Sequence, residues 1–94
     1  MADDSRIFVG NKPFLNYVSG VVMQFTTEGA SEVVIRARGK FISRAVDVAE
    51  VACKRFLTGV VETKKVSISS GSFTNQEGKL VRVSTIDILL GKIV

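Results

Sequence analysis

The spacing of apolar residues changes period part-way along this chain, and that change limits the folds open to it. Between Phe14 and Phe25, and again between Ile42 and Phe56, apolar side chains recur every three or four residues; from Val61 onward they recur every second residue. Phe14, Val18, Val21, Val22 and Phe25 predict one face of a first helix over residues 13–28, with Pro13 in its first turn and Gly29 as a left-handed stop. Ile42, Ala45, Val46, Ala49, Ala52, Cys53 and Phe56 predict the stripe of a second helix, closed by Thr58-Gly59. Residues 6–9 (RIFV) and 31–37 (SEVVIRA) read as strands, the latter with Val33 and Ile35 on one face and Val34 and Arg36 on the other. Strands over 61–74 and 80–92, joined through Glu77-Gly78, make a hairpin whose outer part, 72–82, lacks a clear buried face and projects as an arm. Each helix has a single stripe to bury, so a sheet must cover both. The expected architecture is α/β, a two-layer sandwich in the order β-α-β-α-β-β. A four-stranded mixed sheet packs on two helices, in a single domain over residues 1–94.

Several function classes lack the residues they need. The chain has no histidine, which removes the commonest general base and metal ligand, and its one cysteine leaves no ordinary zinc site. Cys53 sits on the apolar side of EVACKRF and reads as a small buried thiol; alone, it forms no internal disulfide. Neither GxxxxGK[ST] nor GxGxxG occurs, so nothing points to a cofactor or a small-molecule substrate. Asp47 and Glu50 stand one helical turn apart, but beside Arg44 and Lys54 they read as a solvated, salt-bridged face, not an acid–base pair. No apolar stretch is long enough to span a bilayer, and MADDSR lacks the plan of a signal peptide. The expectation is a cytoplasmic protein that is not an enzyme.

What remains is charge. RARGKFISR holds Arg36, Arg38, Lys40 and Arg44 with no acid among them. The whole net charge of +4 falls within residues 33–46, and the other 80 residues carry nine bases and nine acids. Four cations around Gly39, next to the start of a helix, suit a row of backbone phosphates, whose neutralisation releases counterions. Lys12 begins the first helix, a second anion-favouring helix start. Lys79 and Arg82, near the hairpin tip, can reach a second place on an extended partner. Each of these features alone is an ordinary solvated surface; their bias to one sign argues for a partner.

GNKPFLNYV (10–18), EVVIRARGKFISRAVDVAEV (32–51), KRFL (54–57) and RVSTIDI (82–88) together resemble the Alba family of small basic archaeal chromatin proteins. The resemblance covers nearly the whole chain. It implies a homodimer, or a heterodimer with a paralogue, that binds double-stranded DNA with little sequence preference and also binds RNA. It implies further that helix starts and basic loops share one face while two hairpins reach along the minor groove. A lysine pair that precedes the proline in the family falls on Asn11 and Lys12, so only the second lysine is kept and acetylation control is confined to Lys12. The family's basic loop falls on Arg38, Lys40 and Arg44, its Asn-Tyr on Asn16 and Tyr17, and its dimer–dimer phenylalanine on Phe56, beside Arg55. The expected function is to coat and compact DNA on the chromosome through backbone phosphates. The alternative is a protein mainly of RNA.

Overall fold

A computed structural model describes residues 5–93. The acidic start of the chain, on which the argument against a signal peptide rested, lies outside the described residues. The element order is β1 (Arg6–Phe8), α1 (Phe14–Thr26), β2 (Glu32–Arg38), a 3₁₀ turn (Gly39–Phe41), α2 (Ile42–Val51) continuing into a π-helical turn (Ala52–Phe56), β3 (Val61–Thr74) and β4 (Leu80–Lys92). The strands form one sheet in the order β1-β2-β4-β3, parallel between β1 and β2 and antiparallel elsewhere. This is the expected α/β architecture. A parallel neighbour cannot follow through a tight turn, so α1 is the crossover that places β2 beside β1.

Register decides which side chains the helices cover. Val33 pairs with Leu90, Ile35 with Ile88 and Ala37 with Ile86, and all six are buried. From α1, Tyr17, Val18, Val21 and Phe25 complete this core, and from α2 Ala45, Val48 and Ala49. Gly29 takes φ +74°, the left-handed conformation expected after α1. Both hairpin strands run over the spans read from sequence, and their exposed outer half extends a molecule measuring 47 × 26 × 20 Å.

The second helical stripe departs from expectation at two places. Val46 and Phe56 are exposed, and Val48 and Leu57 take the inward positions. At the end of the helix the cause is visible: the Leu57 amide donates to the Ala52 carbonyl five residues back, at 3.0 Å, in place of the usual four. The wider turn moves the inward position on by one residue, so Leu57 enters the core and Phe56 is left 57% exposed.

The hairpin turn is organised by a residue the sequence reading passed over. Asn75 accepts through Oδ1 from the amides of Glu77 and Lys79, both at 2.9 Å, while Gly78 takes φ +81°. Cys53 is buried as expected; burial raises its thiol pKa, with Glu50 adding to the rise and Lys54 opposing it. That environment disfavours a reactive thiolate. Glu50 and Lys54 form the expected ion pair at 3.5 Å.

Candidate nucleic-acid interface

Two loops meet at one end of the sheet. The first, 10–13, joins β1 to α1. Its anchor is Tyr17, buried one turn into α1, whose hydroxyl accepts from the amides of Gly10 at 3.0 Å and Lys12 at 3.1 Å. On the other side of Gly10, Arg44 donates from Nη1 to the carbonyl at 3.0 Å, with its guanidinium 5.9 Å from the Tyr17 ring. Gly10 is thus held by α1 and by the start of α2 together, which fixes where Asn11 and Lys12 emerge. Pro13 precedes the first helical residue with φ −55°, and no side chain among the described residues caps α1.

The second loop carries the basic stretch off the end of β2. Gly39, at φ +61°, lets the chain turn sharply into the 3₁₀ turn before α2. A Cβ at Gly39 would sit 3.5 Å from the Val83 side chain, so this loop lies against the hairpin close to Arg82. Arg38 and Lys40 are exposed, and neither has an acidic partner among the described residues. Lys40 Nζ stands 5.5 Å from the Phe41 ring. Asn11, Lys12 and Asn16 are exposed at the same corner, giving it cations from two loops and, among the described residues, no acid paired with them.

Arg36, expected in the same row, is paired with an acid across the sheet. Its Nε and Nη2 donate to the two carboxylate oxygens of Asp87, opposite it on β4, at 2.5 and 2.8 Å. The hydrogen bond and the facing charge raise the guanidinium pKa, while the hydrogen bond from Arg36 leads in holding the Asp87 carboxyl below its usual range. One of the four cations in RARGKFISR is therefore balanced by an acid 51 residues away. Tyr17 and Arg44, expected at the same interface, brace the first loop.

Lys79 and Arg82 lie on the hairpin, Arg82 donating to Ser70 Oγ at 3.4 Å and Lys79 in the turn. Arg55 and Phe56 are at the far end of α2, away from both loops. Phe56 borders a 360 Å³ groove with Leu15, Val22 and Met23 of α1. Among the described residues no three acidic or cysteine side chains gather as a metal cluster, and no helix is long and apolar enough to cross a membrane.

Residues 5–70, well over half of the chain, match the model of the Alba family. The chain belongs to the Alba family. It is 52% identical over 90 residues to a DNA/RNA-binding protein Alba of Methanocella arvoryzae, covering 96% of this chain and 92% of that one. With the protein of the same description from Methanothrix thermoacetophila it shares 54% identity over 92 residues, 98% of this chain and all of the other. An Alba structure from Thermoplasma volcanium superposes with a TM-score of 0.83 at 40% identity, covering 92% of this chain and 98% of that one. Alba relatives are described as nucleic-acid-binding proteins, not as enzymes.

Two predictions follow from the braces. Tyr17→Phe leaves the amides of Gly10 and Lys12 without their acceptor and should destabilise the fold by about 1 kcal/mol or more, measured by chemical denaturation. Asp87→Asn tests the cross-strand pair. Because the folded aspartate pKa is lowered, its stabilisation is complete above the ordinary value of about 3.9 and is lost as pH falls through the lowered folded value. Melting temperatures should show Asp87→Asn below wild type at pH 7, with the gap closing below about pH 4.

Proposed function

We propose that this protein binds double-stranded DNA largely irrespective of sequence, through backbone phosphates, and that as a dimer it coats and compacts chromosomal DNA in the cytoplasm. The observation that carries this reading is the corner where Lys12, Arg38 and Lys40 stand exposed without acidic partners among the described residues, Lys12 on a loop held by Tyr17 and Arg44. Phosphate contacts position a protein without reading bases, so exposed cations on braced loops predict affinity with little selectivity. Asn11 and Asn16 add neutral donors at the same corner. Arg82 and Lys79 extend the contact along the hairpin toward a groove. Relatives described as DNA/RNA-binding support the same partners. Charge-led binding of this kind extends to RNA, and a role chiefly on RNA is the second reading.

The dimer has its own support. Val66 and Ile68 lie opposite the buried Ile88 and Ile86, on the helix side of the sheet, yet are 54% and 79% exposed. They belong to β3, an edge strand of 14 residues, so an apolar strip and an unpaired edge coincide. A second copy of this chain, or a paralogue, covers that strip. Phe56 and Arg55 then lie free to meet a neighbouring dimer on DNA. Lys12 is open to acetylation, which would remove one of the three cations.

The reading is tested by titrating the protein with several duplexes of unrelated sequence and equal length. Affinities within a few-fold of one another are expected; discrimination between them beyond a hundredfold would require base readout and overturn the proposal.

A further inference from the structure

On the sheet face turned away from the helices, a cavity of 360 Å³ opens beside the basic corner, bordered by Phe8, Gly10, Arg36, Arg38, Phe41 and Thr85. Its size falls at the small end of the range of ligand-binding clefts. Phe8 stands at its mouth on the edge strand β1 and is 62% exposed, so its ring is open to a ligand. The Arg36 guanidinium lies 5.9 Å from the Phe8 ring centroid, and Asp87 grips it through two hydrogen bonds. That grip has two consequences: it balances the charge of Arg36, which weakens it as a phosphate ligand, and it fixes the guanidinium plane. A flat ring and a flat, fixed guanidinium therefore adjoin, with the exposed cations Arg38 and Lys40 next to them.

A stacked duplex keeps its base faces to itself, whereas an unpaired base offers one. We propose that this cavity receives an unpaired nucleobase of a bound strand, stacked on the exposed ring of Phe8 beside the Asp87-held Arg36 guanidinium, while the adjoining phosphate rests on Arg38 and Lys40. Aromatic rings and guanidinium planes are the surfaces on which single-stranded bases stack, and the rim carries the charge that a strand's backbone requires. The apolar strip on β3 lies on the other face of the sheet and at the opposite edge, so a dimer formed there leaves the cavity open. This inference rests on the nucleic-acid reading above and adds to it a site for single strands.

The chain contains no tryptophan, so Phe8→Trp places a lone fluorophore at the cavity mouth. Its emission is expected to be quenched more strongly by a 12-nucleotide single strand, RNA or DNA, than by the duplex of the same sequence. Phe8→Ala, checked as folded by circular dichroism, should lower single-strand affinity by about five- to a hundredfold, the range of one base–aromatic stack, with duplex affinity unchanged. Quenching by either strand type together with that selective loss supports the site. Equal losses on strand and duplex, or unchanged strand binding by Phe8→Ala, overturn it. Wild-type protein that binds duplex but no single strand sinks the base site alone; protein that binds neither sinks the proposed function with it.

Discussion

Arg38→Glu combined with Lys40→Glu is expected to lower affinity for a duplex roughly a hundredfold or more at low salt, since each lost charge-assisted contact is worth about tenfold. Both side chains are exposed and lack acidic partners among the described residues, so their replacement leaves the core untouched. The reversal does more than remove two contacts, because the new carboxylates repel phosphates from the corner that also presents Lys12. Gly39 stays in place, so the turn into α2 is kept. The same pair of changes at Lys54 and Arg55, on the far end of α2, is the control and should cost little. Gel-shift or anisotropy titrations at one fixed low ionic strength measure both variants. Comparable losses from the two pairs would reduce the effect to overall charge and remove the special standing of the basic loop.

Ile68→Asp is expected to convert the proposed dimer into a monomer and, through that, to weaken binding to long duplexes by about two to four powers of ten. Ile68 is 79% exposed, so an aspartate there meets water in the isolated chain and leaves the fold intact. In a dimer the same carboxylate is pressed into an apolar strip beside Val66, at the cost of desolvating a charge without a partner. The loss of affinity follows from valency: two linked corners bind a polyanion with an effective concentration that one corner lacks. Light scattering reads the mass, and titration with a long and a short duplex reads the consequence. A variant that remains dimeric would place the interface elsewhere; a monomer with undiminished affinity would show that one corner suffices.

The sequence carried most of the fold and only part of the site. Periodicity located both helices and the inner parts of β3 and β4, while turn residues such as Gly29 and Gly78 marked their limits, because a strand or helix with one apolar face writes that face into every second residue or every third and fourth. The pairs that matter to the site are of another kind. Nothing in local sequence links Arg36 to Asp87; only the β2–β4 register sets them opposite each other, and so one of four apparent phosphate ligands proved to have a partner. Tyr17 matched a motif, but its buried hydroxyl and the two amides it gathers become visible only when the loop folds back over α1. Phe56 was assigned to a stripe that assumes four residues per hydrogen-bonded turn, and one five-residue turn was enough to expose it. Val66 and Ile68 show the converse: their alternation was read correctly as a strand with an apolar side, yet that side stays exposed in the folded chain. A cysteine in an apolar stripe and a glycine after a helix, by contrast, depend on neighbours close in sequence, and both were legible.

The most direct test of the central claim is the salt dependence of wild-type affinity for one duplex DNA, with a matched duplex RNA alongside. A dimer presenting Lys12, Arg38 and Lys40 from both protomers predicts that the logarithm of affinity falls linearly with the logarithm of salt, with a slope of roughly −5 on DNA. A slope of that size establishes binding through phosphates, and the ratio of the two affinities ranks DNA against RNA. A slope near zero, with affinity maintained at high salt, would contradict the account, because binding would then owe little to the exposed cations of the corner.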